Sequence, residues 1–197
     1  MDIRERVKKI IMTPKTEWLV IASEEPDIAQ IFKGYVLPLA LIPSLAYIIG
    51  LGAIGSGIMS SFSWGIAMGL IQFILAFVGV YLSAYVIAFL APRFASQQHM
   101  GRAVQLVAYS YTPAWLAGIL SIVPALGVLA FAGSIYGLYL MYLGLPHMMK
   151  TLQDKVGVYL AVSIVAVMVT YWILTLILTP IVLGLFGLNA ATLMRGM

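Results

Sequence analysis

Gly34 to Pro92 reads GYVLPLALIPSLAYIIGLGAIGSGIMSSFSWGIAMGLIQFILAFVGVYLSAYVIAFLAP, 59 residues without an Asp, Glu, Lys or Arg. A bilayer-spanning helix needs about 20 predominantly apolar residues, so this block is long enough for two passes with a Gly-rich turn between them. Two further blocks have the same character. Ala103 to Met149 runs 47 residues without such a charge, long enough for two more passes, and Val156 to Met194 runs 39, enough for one. Across all 197 residues 62% are hydrophobic and 9% charged, against about 25% charged in soluble domains. So few charges cannot cover a water-soluble fold. A soluble enzyme, a nucleic-acid-binding domain and a disordered chain are all excluded.

The expected fold class is all-α, a polytopic five-helix transmembrane bundle preceded by a short amphipathic segment. Residues 1–33 form that juxtamembrane arm and 34–197 the membrane domain. Its spans are expected at about 34–53, 64–91, 103–122, 125–145 and 156–180. Basic residues collect on the cytoplasmic side of membrane proteins. With five spans and the N-terminus inside, Arg4, Arg6, Lys8, Lys9, Lys15, Lys33, Arg93, Arg102, Lys150 and Lys155 lie inside and Arg195 alone outside. The net charge of +4 is thus first a topology signal. It puts the N-terminus on the cytoplasmic side and the C-terminus on the opposite side of the membrane. The lipid bilayer is the one obligatory partner, and nucleic acid is not one. The chain has no cysteine, which removes disulfides, thiolate metal sites and thiol chemistry.

In the arm, Ile3, Val7, Ile10 and Ile11 recur at helical spacing opposite Arg and Lys, the pattern of a helix lying in the membrane interface. Thr13-Pro14 reads as an N-cap with proline in the first turn. It opens a second short helix carrying Glu17, Trp18, Ile21 and Glu24, with Trp18 at headgroup depth. Pro38 and Pro43 should loosen the first span, and Gly50, Gly52, Gly55 and Gly57 mark an outer loop.

Under this topology no ionisable side chain lies at mid-membrane, where such residues usually mark ion pathways. No acid–base pair or ligand set offers catalysis, a cofactor or a metal site. Two candidate sites remain. Glu17, Trp18, Glu24, Glu25 and Asp27 form a juxtamembrane acidic turn, either simply solvated or a dock for a basic partner or a cation, with His99 or His147 as helpers. Gln72, Gln105, Tyr109, Thr112 and Pro113 are the polar groups around a proline-broken third span, either satisfying the backbone or facing a cavity. Gly65 with Gly69, and Gly133, Gly137 and Gly144, let helices approach closely, inside one bundle or between two copies.

These residues together resemble the bacterial branch of the Yip family, five-pass proteins named for interacting with Ypt/Rab GTPases. The resemblance rests on Thr13-Pro14-Lys15-Thr16-Glu17-Trp18 with Ile21 and Glu24, on Gly101, and on Tyr109-Ser110-Tyr111-Thr112-Pro113. It continues in Pro124-x-x-Gly127, Ile135-Tyr136-Gly137-Leu138-Tyr139 and Leu143-Gly144-Leu145-Pro146. It implies a cytoplasmic N-terminus, five helices and no known catalytic activity. The eukaryotic members' Rab binding is not carried over. The long cytosolic N-terminal region is missing, and Phe32-Lys33-Gly34-Tyr35-Val36-Leu37-Pro38 lacks their acidic residue. The expected function is that of a non-catalytic scaffold or adaptor for bilayer or partner proteins. The rival is a conduit for a neutral or lipid-like solute beside Pro113.

Overall fold

The computed structural model describes residues 2–54 and 62–187, and every regular element among them is helical. Two short helices, α1 (Ile3–Met12) and α2 (Pro14–Ser23), form an N-terminal hairpin. The first long element joins α3 (Ile28–Ile31) to α4 (Leu37–Ile49) through a wide π-helical turn, Phe32–Val36. Pro38 explains that turn. It has no N–H to donate to the preceding turn, and the backbone widens until the Leu37 N–H reaches the Phe32 carbonyl five residues back. Gly50 and Gly52, expected in a loop, instead continue the helix through a second π turn, Gly50–Ile54. Gly55 and Gly57 lie outside the described residues.

The remaining elements are α5 (Phe62–Leu90), α6 (Met100–Ser110), α7 (Thr112–Ala117), α8 (Ala130–Met148) and α9 (Val156–Leu185). Among the described residues four helical runs are long and apolar enough to cross a membrane: Ile28–Ala53, Phe62–Phe94, Ala125–Met148 and Val156–Leu185. The third element of the expected five differs. It is broken at Tyr111 into α6, α7 and a 3₁₀ turn, Gly118–Ile122, so no single helix covers it.

The broken element nevertheless runs the full length of the bundle. At one end the Gln97 N–H donates to the Met149 carbonyl at 2.7 Å, and the Ser96 hydroxyl bonds Thr151 at 2.9 Å. The start of α6 therefore lies beside the end of α8. At the other end, Gly50 abuts the backbone of Ser121 and Ile122. A helix broken within lipid would expose unsatisfied backbone groups, which is tolerated only where protein surrounds it. That condition is met: Ala103 to Ser110 are all buried, packed among α3, α5 and α8. By contrast α9 turns most of its surface outward, with Val165, Met168, Trp172 and Leu176 exposed. This is a polytopic helical membrane protein.

The predicted glycines make these close approaches inside the bundle. Gly65 lies against Gly52 and the Ile48 carbonyl, and Gly69 against Ser44 and Ile48, so α5 meets α4 almost backbone to backbone. Gly133 faces Pro113 and Ala117, Gly137 faces the Ser110 carbonyl, and Gly144 faces Leu106 and Trp18. The small residues of α8 thus form the groove in which the broken element and the hairpin lie.

The arm departs most from its expected position. Its helices pack into the bundle, with Ile10, Trp18 and Ile21 fully buried. Helix ends leave carbonyls without intrahelical partners, and the bundle supplies donors to both helices of the hairpin. The Tyr136 hydroxyl donates to the Ile11 carbonyl at 2.7 Å, and Arg102 donates to the Ile21 and Glu24 carbonyls at 3.2 and 2.7 Å.

Candidate functional site

Arg6 is the centre of the site. It was assigned to the polar face of α1, yet it is 4% exposed. The spacing explains this. Arg6 follows Ile3 by three residues and precedes Ile10 by four, so it shares their face of the helix. A buried charge must be paired. One Arg6 nitrogen donates to Glu17 at 2.5 Å and another to Glu24. Its guanidinium carbon also sits 5.3 Å from the centre of the Tyr109 ring, within cation–π range. Burial alone would lower the Arg6 pKa, but the Glu24 hydrogen bond and the charges of Glu24 and Glu17 outweigh it and hold the group above its usual value.

Around this clasp is a half-open recess of about 320 Å³. Ile3, Glu24, Glu25, Asp27, Gln105 and Tyr109 are among the residues that line it, with Arg6 and Tyr35. The two candidate sites read separately from sequence therefore meet. The acidic turn supplies the rim, and α6 supplies Gln105 and Tyr109 to the wall. Tyr35, from the π turn, packs edge-on against Tyr109 with centroids 4.7 Å apart. Its hydroxyl bonds Thr112 at 2.7 Å, which satisfies both buried groups beside the break.

The members of each set take different places. Glu17 is 3% exposed and belongs to the clasp. Trp18, expected at headgroup depth, is fully buried against Tyr109, with centroids 6.4 Å apart. Glu24 bridges clasp and rim. Glu25 and Asp27 are exposed, and Asp27 also caps α3 by accepting the Gln30 N–H at 3.0 Å. Gln105 is 2% exposed and accepts from Arg102 at 3.2 Å. Thr112 and Pro113 are buried at the break, below the recess. Gln72 is half-buried on α5 and does not line the recess. Sequence reading missed Arg6, Arg102 and Tyr35. Only Arg6 left a signal, its place on the apolar face of α1. Among the described residues no group of three or more His, Asp or Glu could hold a metal ion.

Comparison with known proteins agrees with this architecture. The chain is similar to the inner membrane protein YohC of Escherichia coli K12, 27% identical over 180 residues, covering 87% of this chain and 92% of the relative. The protein of the same name from Escherichia coli O6:H1, strain CFT073, matches to the same extent. No solved structure matches. The model of the Yip1 domain family matches residues 8–175, from inside α1 to inside α9. Neither the family name nor the relatives' name is that of an enzyme. With most of its length inside that match, the chain belongs to the Yip1 domain family.

Proposed function

We propose that this protein is a non-catalytic adaptor of the bacterial inner membrane, which presents its hairpin end to a partner protein in the cytoplasm. The observation that carries this reading is the Arg6 clasp. It fixes α1, α2 and the acidic turn as one rigid unit against the bundle, so that a preformed polar surface stands at one end of an otherwise apolar body. Preformed surfaces avoid the ordering cost of binding.

The bundle is one membrane domain with its hairpin end inside. Ten basic residues lie in the arm or in the two turns at the same end as the hairpin, in keeping with the positive-inside bias. The expected location of Arg195 and the C-terminus falls outside the described residues.

A photo-crosslinking side chain at residue 25, in living cells, tests the reading. Reproducible capture of the same cytoplasmic protein supports it. Capture of nothing beyond abundant bystanders, together with unchanged membrane behaviour of a deletion strain, refutes it.

A further inference from the structure

The recess has a charge imbalance that the clasp does not use. Three carboxylates and one guanidinium line it, and the guanidinium is already engaged by Glu17 behind the wall and by Glu24. Glu25 makes no side-chain hydrogen bond. One Asp27 oxygen caps α3, which leaves the other as an acceptor.

A second observation comes from the wall. Tyr109 is 7% exposed and lines the recess, yet its hydroxyl has no hydrogen-bond partner. That hydroxyl is not one of the fully enclosed unpaired atoms, so it opens onto the recess, where a bound group can reach it. Gln105, 2% exposed, lines the same wall. The oxygen of its amide accepts from Arg102.

From these we infer that the recess is a binding site for an alkylammonium cation. The rim carboxylates Glu24, Glu25 and Asp27 take the charge, and Tyr109 accepts one ammonium hydrogen at the base. An ammonium has three donors and no acceptor, which suits a lining of carboxylate and hydroxyl oxygens. A bare metal ion does not fit, because the acidic groups do not converge into a metal-holding cluster. The volume is at the lower end of small-molecule sites, large enough for a short amine and its alkyl stem. The half-buried Ile3 side chain on the lining is suited to that stem.

The cation has two possible sources, a free diamine and a lysine borne by the adaptor's partner. The second rests on the reading proposed above, and the first does not.

The test uses the full chain in phosphatidylcholine nanodiscs, with putrescine, Nα-acetyl-lysine amide and the neutral 1,4-butanediol as probes. Binding is read by calorimetry and by the unfolding midpoint. At least one amine should bind and raise the midpoint, while butanediol does neither. Glu25→Gln and Tyr109→Phe should each weaken that amine by about tenfold and leave the unliganded midpoint unchanged. Both changes keep the clasp and the ring over Arg6. Preference for acetyl-lysine amide identifies a protein-borne lysine, and preference for putrescine a free amine. Absence of binding by both amines, or equal binding by the double variant, overturns the site. Residue-25 crosslinking that still captures a partner would then leave the adaptor reading standing. Amine binding without any captured partner would do the reverse.

Discussion

Arg6 donates to Glu17 at 2.5 Å across the turn of the N-terminal hairpin, with both side chains almost wholly buried. Breaking a buried pair strands the surviving charge and costs about 3–5 kcal/mol. Arg6→Met should destabilise on that scale and open the hairpin to protease, whereas Glu17→Gln, which leaves Arg6 paired with Glu24, should cost less. Arg6→Met combined with Glu17→Leu and Glu24→Gln should recover much of the loss, because no uncompensated charge then remains. The exposed Glu5–Lys9 pair, at 2.7 Å, is the control, since exposed pairs contribute little. The raised Arg6 pKa gives the sign of the pH effect. The contribution of its charge is complete below the ordinary guanidinium value and is lost only above the raised one. Moderately alkaline solution should leave the clasp shut, as unfolding midpoints against pH will show.

Tyr35 and Thr112, 77 residues apart, share a buried hydroxyl pair at 2.7 Å. Removing one hydroxyl orphans the other, at about 1–3 kcal/mol, while removing both is nearly neutral. Tyr35→Phe and Thr112→Val should therefore each lower stability, and the double variant should be closer to the parent than their sum. Reversible unfolding in detergent measures this cycle.

Gly137 packs on the Ser110 carbonyl, whereas Gly157 has open space around it. A side chain at 137 must push backbone aside, a misfit that typically costs about 1–3 kcal/mol. Gly137→Leu should destabilise by that much without changing oligomeric state. Gly157→Ala should be tolerated or slightly stabilising, as alanine favours helix by up to about 1 kcal/mol. A change of mass by light scattering, with stability intact, would instead place Gly137 between two copies.

The cysteine-free sequence makes any introduced thiol unique. Thiols replacing the exposed residues Ser23, Gln98 and Gln153 should be labelled from the cytoplasmic side, and one replacing Val128 from the opposite side. Four crossings would put Gln98 and Gln153 on different faces. Labelling in intact and permeabilised cells decides between them.

Much of the architecture was legible because lipid imposes a blunt rule. Charge-free blocks must be helices, and Pro38 and Pro113 must disturb them. The glycines at 65, 69, 133, 137 and 144 announced close approaches but not which neighbours they meet. The arm was misjudged for a specific reason. A helix with lysines on one side looks interfacial, and the one local sign to the contrary is that Arg6 stands in register with Ile3 and Ile10; that it faces Glu17 and Glu24 is not written there. Trp18 was misplaced by the same reasoning, since its amphipathic ring suits headgroups as well as a socket formed by Gly144, Leu106 and Tyr109.

Sequence alone determined that the chain folds in a membrane, with helices spaced by its apolar blocks, because the cost of exposing backbone or charge to hydrocarbon depends on composition and length. Tertiary structure alone decided that an acidic turn and a broken helix share one recess. Their meeting depends on contacts between residues far apart in the chain, Arg6 with Glu24, Arg102 with Ile21 and Tyr35 with Thr112. Such pairings leave no periodic trace, because each is chosen by the packing of whole helices rather than by the residues beside it.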